Sequence, residues 1–387
     1  MTILSFLRVA SVSALLSAAS LSAAASDAYG DAFKGSGFVS GDWQLVCDNT
    51  LTCRAAGYTD EVDDWRGSVL MTVTAGEKTP RTQVLLNYWE ASDEIIAQIN
   101  AANEPVELWL NDKPYGEVEN GELTSKQTAQ LIKHARQNTK IVLARGDYHW
   151  QISDKGMAAV LLKLDDVQGR VGTSLALVSK NNPNRQTPKA ANAKPIIKKA
   201  FVYADPDKQP LAPSTLSYFQ DNIDTWVDID SEELMGTKER MGECELVNPK
   251  TKAYQRIQEY SPSELNWTFI PVDSQYTLAV HSCWTGAYNF GSGYWLIDNT
   301  HPQNPQLITT SGSRYDDGEI FAAHKGRGLG DCWSMTHWVW DGKTFAKALE
   351  QTTGLCRLIE AGGAWGMPTY VSEVVISEVV VSEGLAP

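Results

Sequence analysis

The stretch Gly41-Asp-Trp-Gln-Leu-Val-Cys-Asp-Asn-Thr-Leu-Thr-Cys-Arg-Ala-Ala-Gly-Tyr58 constrains the chain more than any other. Trp43, Leu45 and Cys47 alternate with Gln44 and Val46, which is the period of a strand. Asp48-Asn49-Thr50 is turn chemistry, because short polar side chains bond their own backbone. Cys53, Ala55 and Gly57 then alternate again. The spacing predicts a β-hairpin with Cys47 and Cys53 facing each other across its mouth. A bond between them would close a short loop, worth about 2 kcal/mol by chain entropy. Such a bond persists in an oxidising compartment.

The start of the chain agrees with that compartment. Residues 1–25 read as an export signal: Arg8 ends a short leading region, Val9 to Leu21 is apolar and small, and Ala23-Ala24-Ala25 fits a cleavage site. The mature chain is expected to begin near Ser26. The apolar run is broken by Ser and short for a membrane span, and no later segment is long enough to be one. A periplasmic or secreted protein is therefore expected, with no integral membrane segment once the signal is removed. The six Cys then suggest three disulfides. Besides Cys47 with Cys53, Cys332 and Cys356 flank one predicted hairpin, which leaves Cys244 with Cys283. Spacing alone does not fix these pairs. Zinc is the competing use of such residues, through His281-Ser282-Cys283 and Cys332 with His337. No Cys-x-x-Cys pair or tight four-ligand spacing occurs, so neither metal nor cofactor is expected.

With 387 residues, 43% hydrophobic and 21% charged, the chain can bury two cores. Its net charge of −14 argues against nucleic-acid binding, which needs a basic surface. Thirteen Trp are expected to serve mainly in cross-strand and core packing, with an aromatic glycan-binding surface as the functional alternative.

The pattern of elements is mainly β (α+β): two antiparallel β domains with a few short helices. The first domain spans 26–180, a linker 181–195 and the second domain 196–387. Val69 to Thr74, Thr82 to Trp89, Ile95-Ala97-Ile99, Val106 to Leu110 and Ile141 to Leu143 alternate as strands do. Thr124-Ser-Lys-Gln127 is a capping box that opens a helix. Met157, Val160, Leu161, Leu164 and Val167 mark a second helix. Asn181 to Pro195 holds no aromatic or large aliphatic residue and is locally basic. In the second domain Ser231 to Arg240 reads as a short helix. Trp267 to Ile270, Tyr276 to Val280, Tyr294 to Ile297 and Gln306 to Thr309 read as strands. Asp317-Gly318 and Asp341-Gly342 read as hairpin turns. The tail repeats Val371-Ser-Glu-Val-Val, Ile376-Ser-Glu-Val-Val and Val381-Ser-Glu with period five, its first copy reading as a last core strand.

No nucleophile elbow, His-Glu-x-x-His helix or phosphate loop is present. Asp228-Ile-Asp-Ser-Glu-Glu233 lacks the glycine of a calcium loop, and no pair among 47 acidic residues stands out as glycosidase-like. Two stretches do stand out. Cys283-Trp-Thr-Gly-Ala-Tyr-Asn289 is a glycine-containing aromatic loop after a strand. Gly326-Arg-Gly-Leu-Gly-Asp-Cys-Trp333 packs three Gly, an Arg and an Asp beside a Cys. If the loops are disulfide-anchored and close together, Trp284, Tyr288, Asn289, Arg327, Asp331 and Trp333 form a ligand surface. The competing reading is a tight bend whose Arg327 and Asp331 pair locally.

Together with the opening hairpin, these stretches and Trp338-Val-Trp-Asp-Gly342 resemble a family of bacterial exported proteins, domain of unknown function 1176. The first half is also similar to the invasion-associated locus B proteins, which are small, mostly β, and periplasmic or surface-located. The resemblance implies an envelope location and carries no catalytic residues. The expected function is non-catalytic binding of an envelope component or a protein partner. One alternative is a carboxylate-dependent carbohydrate hydrolase. Another is an inhibitor of a lysozyme-type enzyme, because Ser311-Gly-Ser-Arg-Tyr315 resembles the Ser-Gly-x-x-Tyr loop of such inhibitors.

Overall fold

Trp43–Cys47 and Thr52–Tyr58 pair antiparallel with Cys47 opposite Cys53, and the two sulfurs are bonded. Leu51 closes the turn in the left-handed region (φ 62°), while the Asp48 carboxylate accepts from the Thr50 and Thr52 N–H groups. The computed structural model describes residues 37–376, apart from 64, 89–91, 103, 206, 207, 209 and 236–243. The export signal read over 1–25 and the tail beyond 376 lie outside the described residues.

The fold is mainly β, built of antiparallel sheets with few helices. A six-stranded sheet contains the hairpin and runs Phe38–Ser40, Trp43–Cys47, Thr52–Tyr58, Gly67–Thr74, Arg81–Leu86, Glu122–Leu123. A four-stranded sheet runs Tyr148–Ile152, Ile141–Arg145, Val106–Leu110, Lys113–Val118. Its Leu108, Leu110, Ile141, Leu143, Trp150 and Ile152 share one core with Trp43, Leu45, Val69 and Met71. Two helices complete that core. Ser125–His134 is opened by the Thr124–Gln127 capping box and buries Leu131; Met157–Val167 buries Met157, Val160, Leu161 and Leu164. Asp165 lies at 0% exposure, its carboxylate accepting from the N–H groups of Leu177, Val178 and Ser179 and so fixing the chain after the helix.

The second half has a four-stranded sheet, Thr268–Pro271, Tyr276–Thr285, Phe290–Asp298, Gln306–Gly312, and a five-stranded one, Arg314–Asp316, Glu319–Lys325, Trp333–Trp340, Phe345–Thr352, Met367–Val371. Val272, Leu278, Leu296, Ile320, Trp340 and Phe345 pack between them. Asp317-Gly318 forms the expected hairpin turn, both residues having positive φ. All three disulfides form as paired above: Cys47–Cys53, Cys244–Cys283 and Cys332–Cys356.

Several elements differ from the sequence reading. Ile95, Ala97 and Ile99 lie on a helix, Asp93–Ala102, not a strand. Asp93 and Glu94 suit its first turn, and the Ser92 hydroxyl accepts from the Ile95 N–H. The true periodicity there is Ile95-Ile96-x-x-Ile99, with Ile99 buried. Pro213–Trp226 is a further helix, not read from the sequence; Pro213 occupies its first turn, and Phe219 and Ile223, four apart, bury its inner face. Lys252–Tyr260 is helical with no buried residue, capped by the Thr251 hydroxyl. The Ser231–Arg240 helix is observed over Glu232–Met235, and its remainder lies outside the described residues. The first tail repeat is not a core strand. Met367–Val371 ends the five-stranded sheet, and Glu373–Ile376 pairs parallel with Ile196–Lys199, leaving Ile376 exposed.

The two halves share a hydrophobic cluster. Val46, Ala56, Tyr58 and Leu70 from the outer face of the hairpin sheet pack on Ile359, Ala364 and Met367. Tyr58 is fully buried; burial pushes its phenol above the ordinary range, and its oxygen accepts from the Leu355 N–H. Arg357 pairs with Asp42 at 2.8 Å, and the Trp365 indole donates to the Ser68 hydroxyl. The segment 181–195 has no regular structure, but Asn192 bonds the backbone of Asn49 and Thr50.

Candidate functional site

The two stretches singled out by the sequence lie against each other. Cys283 and Trp284 belong to the strand Tyr276–Thr285, so the expected loop shrinks to the turn 286–289, closed by Gly286 N–H to Asn289 O at 2.7 Å. A bulge between Ser282 and Trp284 turns Cys283 inward, where it meets Cys244. Gly291 leaves room for the Trp284 indole to lie across the neighbouring strand, because a β-carbon there would meet the ring at 2.3 Å.

The second loop is closed at its base by Gly326 N–H to Cys332 O at 2.8 Å and tied below by Cys332–Cys356. Gly330 turns the chain with positive φ. Its carbonyl accepts from both the Trp333 indole and the Gly362 N–H. Trp333 itself begins the next strand, and the Lys325 ammonium lies 5.5 Å from its ring centroid.

Asn289 joins the two. Its amide donates to Lys325 O and accepts from Lys325 N–H, both at 2.9 Å, as a paired strand residue would. Gly328 lies beside the Tyr288 ring, where a β-carbon would stand 3.5 Å from it. The Trp284 and His324 rings are 5.1 Å apart, and an imidazole nitrogen of His324 lies 3.0 Å from Phe290 O. The result is an aromatic ledge on which Tyr288, Phe290 and Leu329 are 47%, 55% and 66% exposed. A cleft of about 470 Å³ opens beside it, lined by Glu264, Ser282, Trp284, Tyr288, Asn289 and Phe290.

Arg327 and Asp331 do not present themselves to a ligand. Arg327 forks onto Asp331 at 2.8 and 2.6 Å, and its remaining nitrogen reaches Glu61 of the first half at 3.4 Å. Asp331 is buried and also accepts from Leu358 N–H at 2.8 Å. Burial pushes its carboxyl upward, but the Arg327 fork and the Leu358 bond outweigh that and hold it below the ordinary range. The Asp331 contact in turn raises the Arg327 guanidinium. This local pairing is the structural alternative weighed from the sequence. Sequence reasoning also missed Phe290, His324 and Leu329; the only available signal was an apolar residue beside glycine in a turn-rich stretch.

The zinc alternative has no free thiolate, since Cys283 and Cys332 are both disulfide-bonded. The ring nitrogens of His281 face two backbone carbonyls, at 2.7 and 2.9 Å. Asp331, Cys332 and Cys356 cluster, but the sulfurs are bonded to each other and the carboxylate is engaged. Ser311 to Tyr315 is not a protruding loop. Gly312 ends one strand, Arg314 begins another, and the Tyr315 ring packs against Phe345. Among the described residues no helix is long and apolar enough to cross a membrane.

No solved structure matches this chain. The uncharacterized protein YpfG of Escherichia coli (strain K12) is 25% identical over 352 residues, covering 84% of this chain and 90% of that protein. The family model described as protein of unknown function (DUF1176) matches residues 38–372, a span that takes in both halves, all three disulfides and both loops of the ledge, and the chain therefore belongs to the DUF1176 family.

Proposed function

We propose that this chain is an exported, non-catalytic binding protein that holds an envelope component or a protein partner on the ledge formed by Trp284, Tyr288, Phe290 and Leu329. The observation that carries this reading is the Asn289 clamp on Lys325. It fixes two disulfide-anchored loops before any ligand arrives, so little loop entropy remains to be lost on binding. Exposed aromatic faces with polar edges are the side chains that such surfaces use. The three disulfides and the signal-like residues 1–25 support export to an oxidising compartment. A hydrolase is less well supported. Glycoside cleavage uses two carboxylates across a bond, whereas the cleft beside the ledge is lined by one, Glu264.

The test is photo-crosslinking from position 288 in cells that export the protein. A discrete adduct is expected that disappears in a Phe290→Ser, Leu329→Ser double variant whose thermal melt is unchanged. No adduct, or an adduct indifferent to that variant, would remove the ledge as the binding surface.

A further inference from the structure

A second cavity lies away from the ledge. It lies on the outer face of the four-stranded sheet in the first half and has a volume of about 630 Å³. Strand register explains its shape. Gln151 stands opposite Val142, which stands opposite Trp109; one step along, His149, Ala144 and Glu107 form the same kind of row. The small Val142 and Ala144 on the middle strand make a floor. Trp109 and Glu107 form one wall, Gln151 and His149 the other. The walls sit two strand spacings apart, roughly 10 Å, which admits one extended chain. Alternating residues Leu108, Leu143 and Trp150 point the other way, into the core.

The walls define the chemistry of the occupant. The Trp109 indole N–H donates to Glu107 at 3.1 Å, which fixes the ring on its wall. The floor offers methyl groups and no hydrogen-bonding side chain, so it suits a methylene chain better than a hydroxylated ring. Glu104, Glu107 and Asp112 line the trough against a single cation, Lys140, and Lys140 is already paired with Asp112 at 2.9 Å. Arg145, the neighbouring cation, is drawn instead to Glu104 O and the Tyr88 hydroxyl. An indole face, an apolar floor and a surplus of carboxylates together favour a cation on an aliphatic stem.

We propose that this trough binds an alkylammonium chain, either a free linear amine or the lysine side chain of a basic peptide. The proposal is independent of the ledge. Its test is a nuclear magnetic resonance titration of the full exported chain, following the Trp109 indole N–H, assigned with Trp109→Phe. The titrants are 1,5-diaminopentane, an Ala-Lys-Ala peptide, a neutral trisaccharide and glutarate. A saturable shift of the Trp109 signal is expected with the amines only, weakened at least tenfold in Glu107→Gln and by added salt. Glu107→Gln keeps an acceptor for the indole while removing the charge; Glu104→Gln is the second variant, should the first not fold. Tighter binding of the peptide would assign a protein partner, and tighter binding of the diamine a free amine. No shift with either amine, an equal shift with the trisaccharide, or affinity unchanged in both variants would overturn the proposal.

Discussion

Asp331→Asn removes one charge and almost no volume from the base of the second loop, and its cost can be worked from three contacts. The carboxylate accepts two bonds from Arg327 and one from Leu358 N–H. A hydrogen bond to a charged group contributes about 1.5–3 kcal/mol. Oδ2 accepts from both Arg327 Nη2 and Leu358 N–H and Oδ1 from Arg327 Nε, so an Asn oxygen in the Oδ2 place keeps two contacts without their charge, while its NH₂ faces the Arg327 Nε–H. Arg327 is partly exposed and has Glu61 nearby, so water and Glu61 recover some of its loss. Leu358 recovers less. It is held at φ 53°, a left-handed conformation that costs a residue with a side chain about 1–2 kcal/mol, and the Asp331 bond helps to hold it. The expected destabilisation is about 2–4 kcal/mol, read as a lower urea midpoint with unchanged slope under oxidising conditions. The pH dependence has a definite sign. The folded carboxyl lies below its ordinary 3.8, so its contribution is complete above that value and is lost as pH falls through the lower folded one. The gap between parent and variant should therefore narrow in acid. A gap under about 0.5 kcal/mol at neutral pH, or one that does not narrow in acid, would refute this account of Asp331.

Three further outcomes are expected. Replacing Cys47 and Cys53 together with Ser should lower stability by about 2 kcal/mol without loss of the fold, because they stand only six positions apart; urea midpoints measure this, and an unchanged midpoint would mean that the bond contributes nothing. Brief trypsin treatment should cut first between Arg185 and Lys199, where most residues are exposed, yet the fragments should elute together because Tyr58 and Leu70 share a cluster with Ile359 and Met367; separate elution in native buffer would contradict that cluster. Protein recovered from the exporting cell should begin near Ser26 and react with no thiol reagent, as intact mass and labelling would show; six reactive thiols would exclude an oxidising destination.

Local features were legible from sequence wherever the signal was short-range. The Cys47–Cys53 hairpin, the Thr124 capping box, the Met157–Val167 stripe and the Asp317-Gly318 turn each depend on residues within one turn or one pleat, so pattern and chemistry point the same way. The helix Asp93–Ala102 was not legible as such, because Ile95, Ala97 and Ile99 satisfy the strand period by chance while Ile96 supplies the helical one. Pro213–Trp226 was obscured by its weak helix formers. Its stability comes from Phe219 and Ile223 packing on a sheet that lies later in the chain.

Tertiary structure alone decided what the outer faces do. Sequence alternation marked Trp43 and Leu45 as one face of a strand, but Gln44 and Val46 opposite them are buried as well. A segment more than three hundred residues away covers Val46, and no local pattern announces a partner that distant. The same holds for Arg327 and Asp331, which the sequence offers as ligand contacts and the fold commits to each other. It holds again for Trp109, which reads as one more packing residue until strand register sets it beside Val142 and Gln151 as the wall of a trough. Periodicity fixes which side chains share a face; only the packed chain determines whether that face meets a core, a partner or solvent.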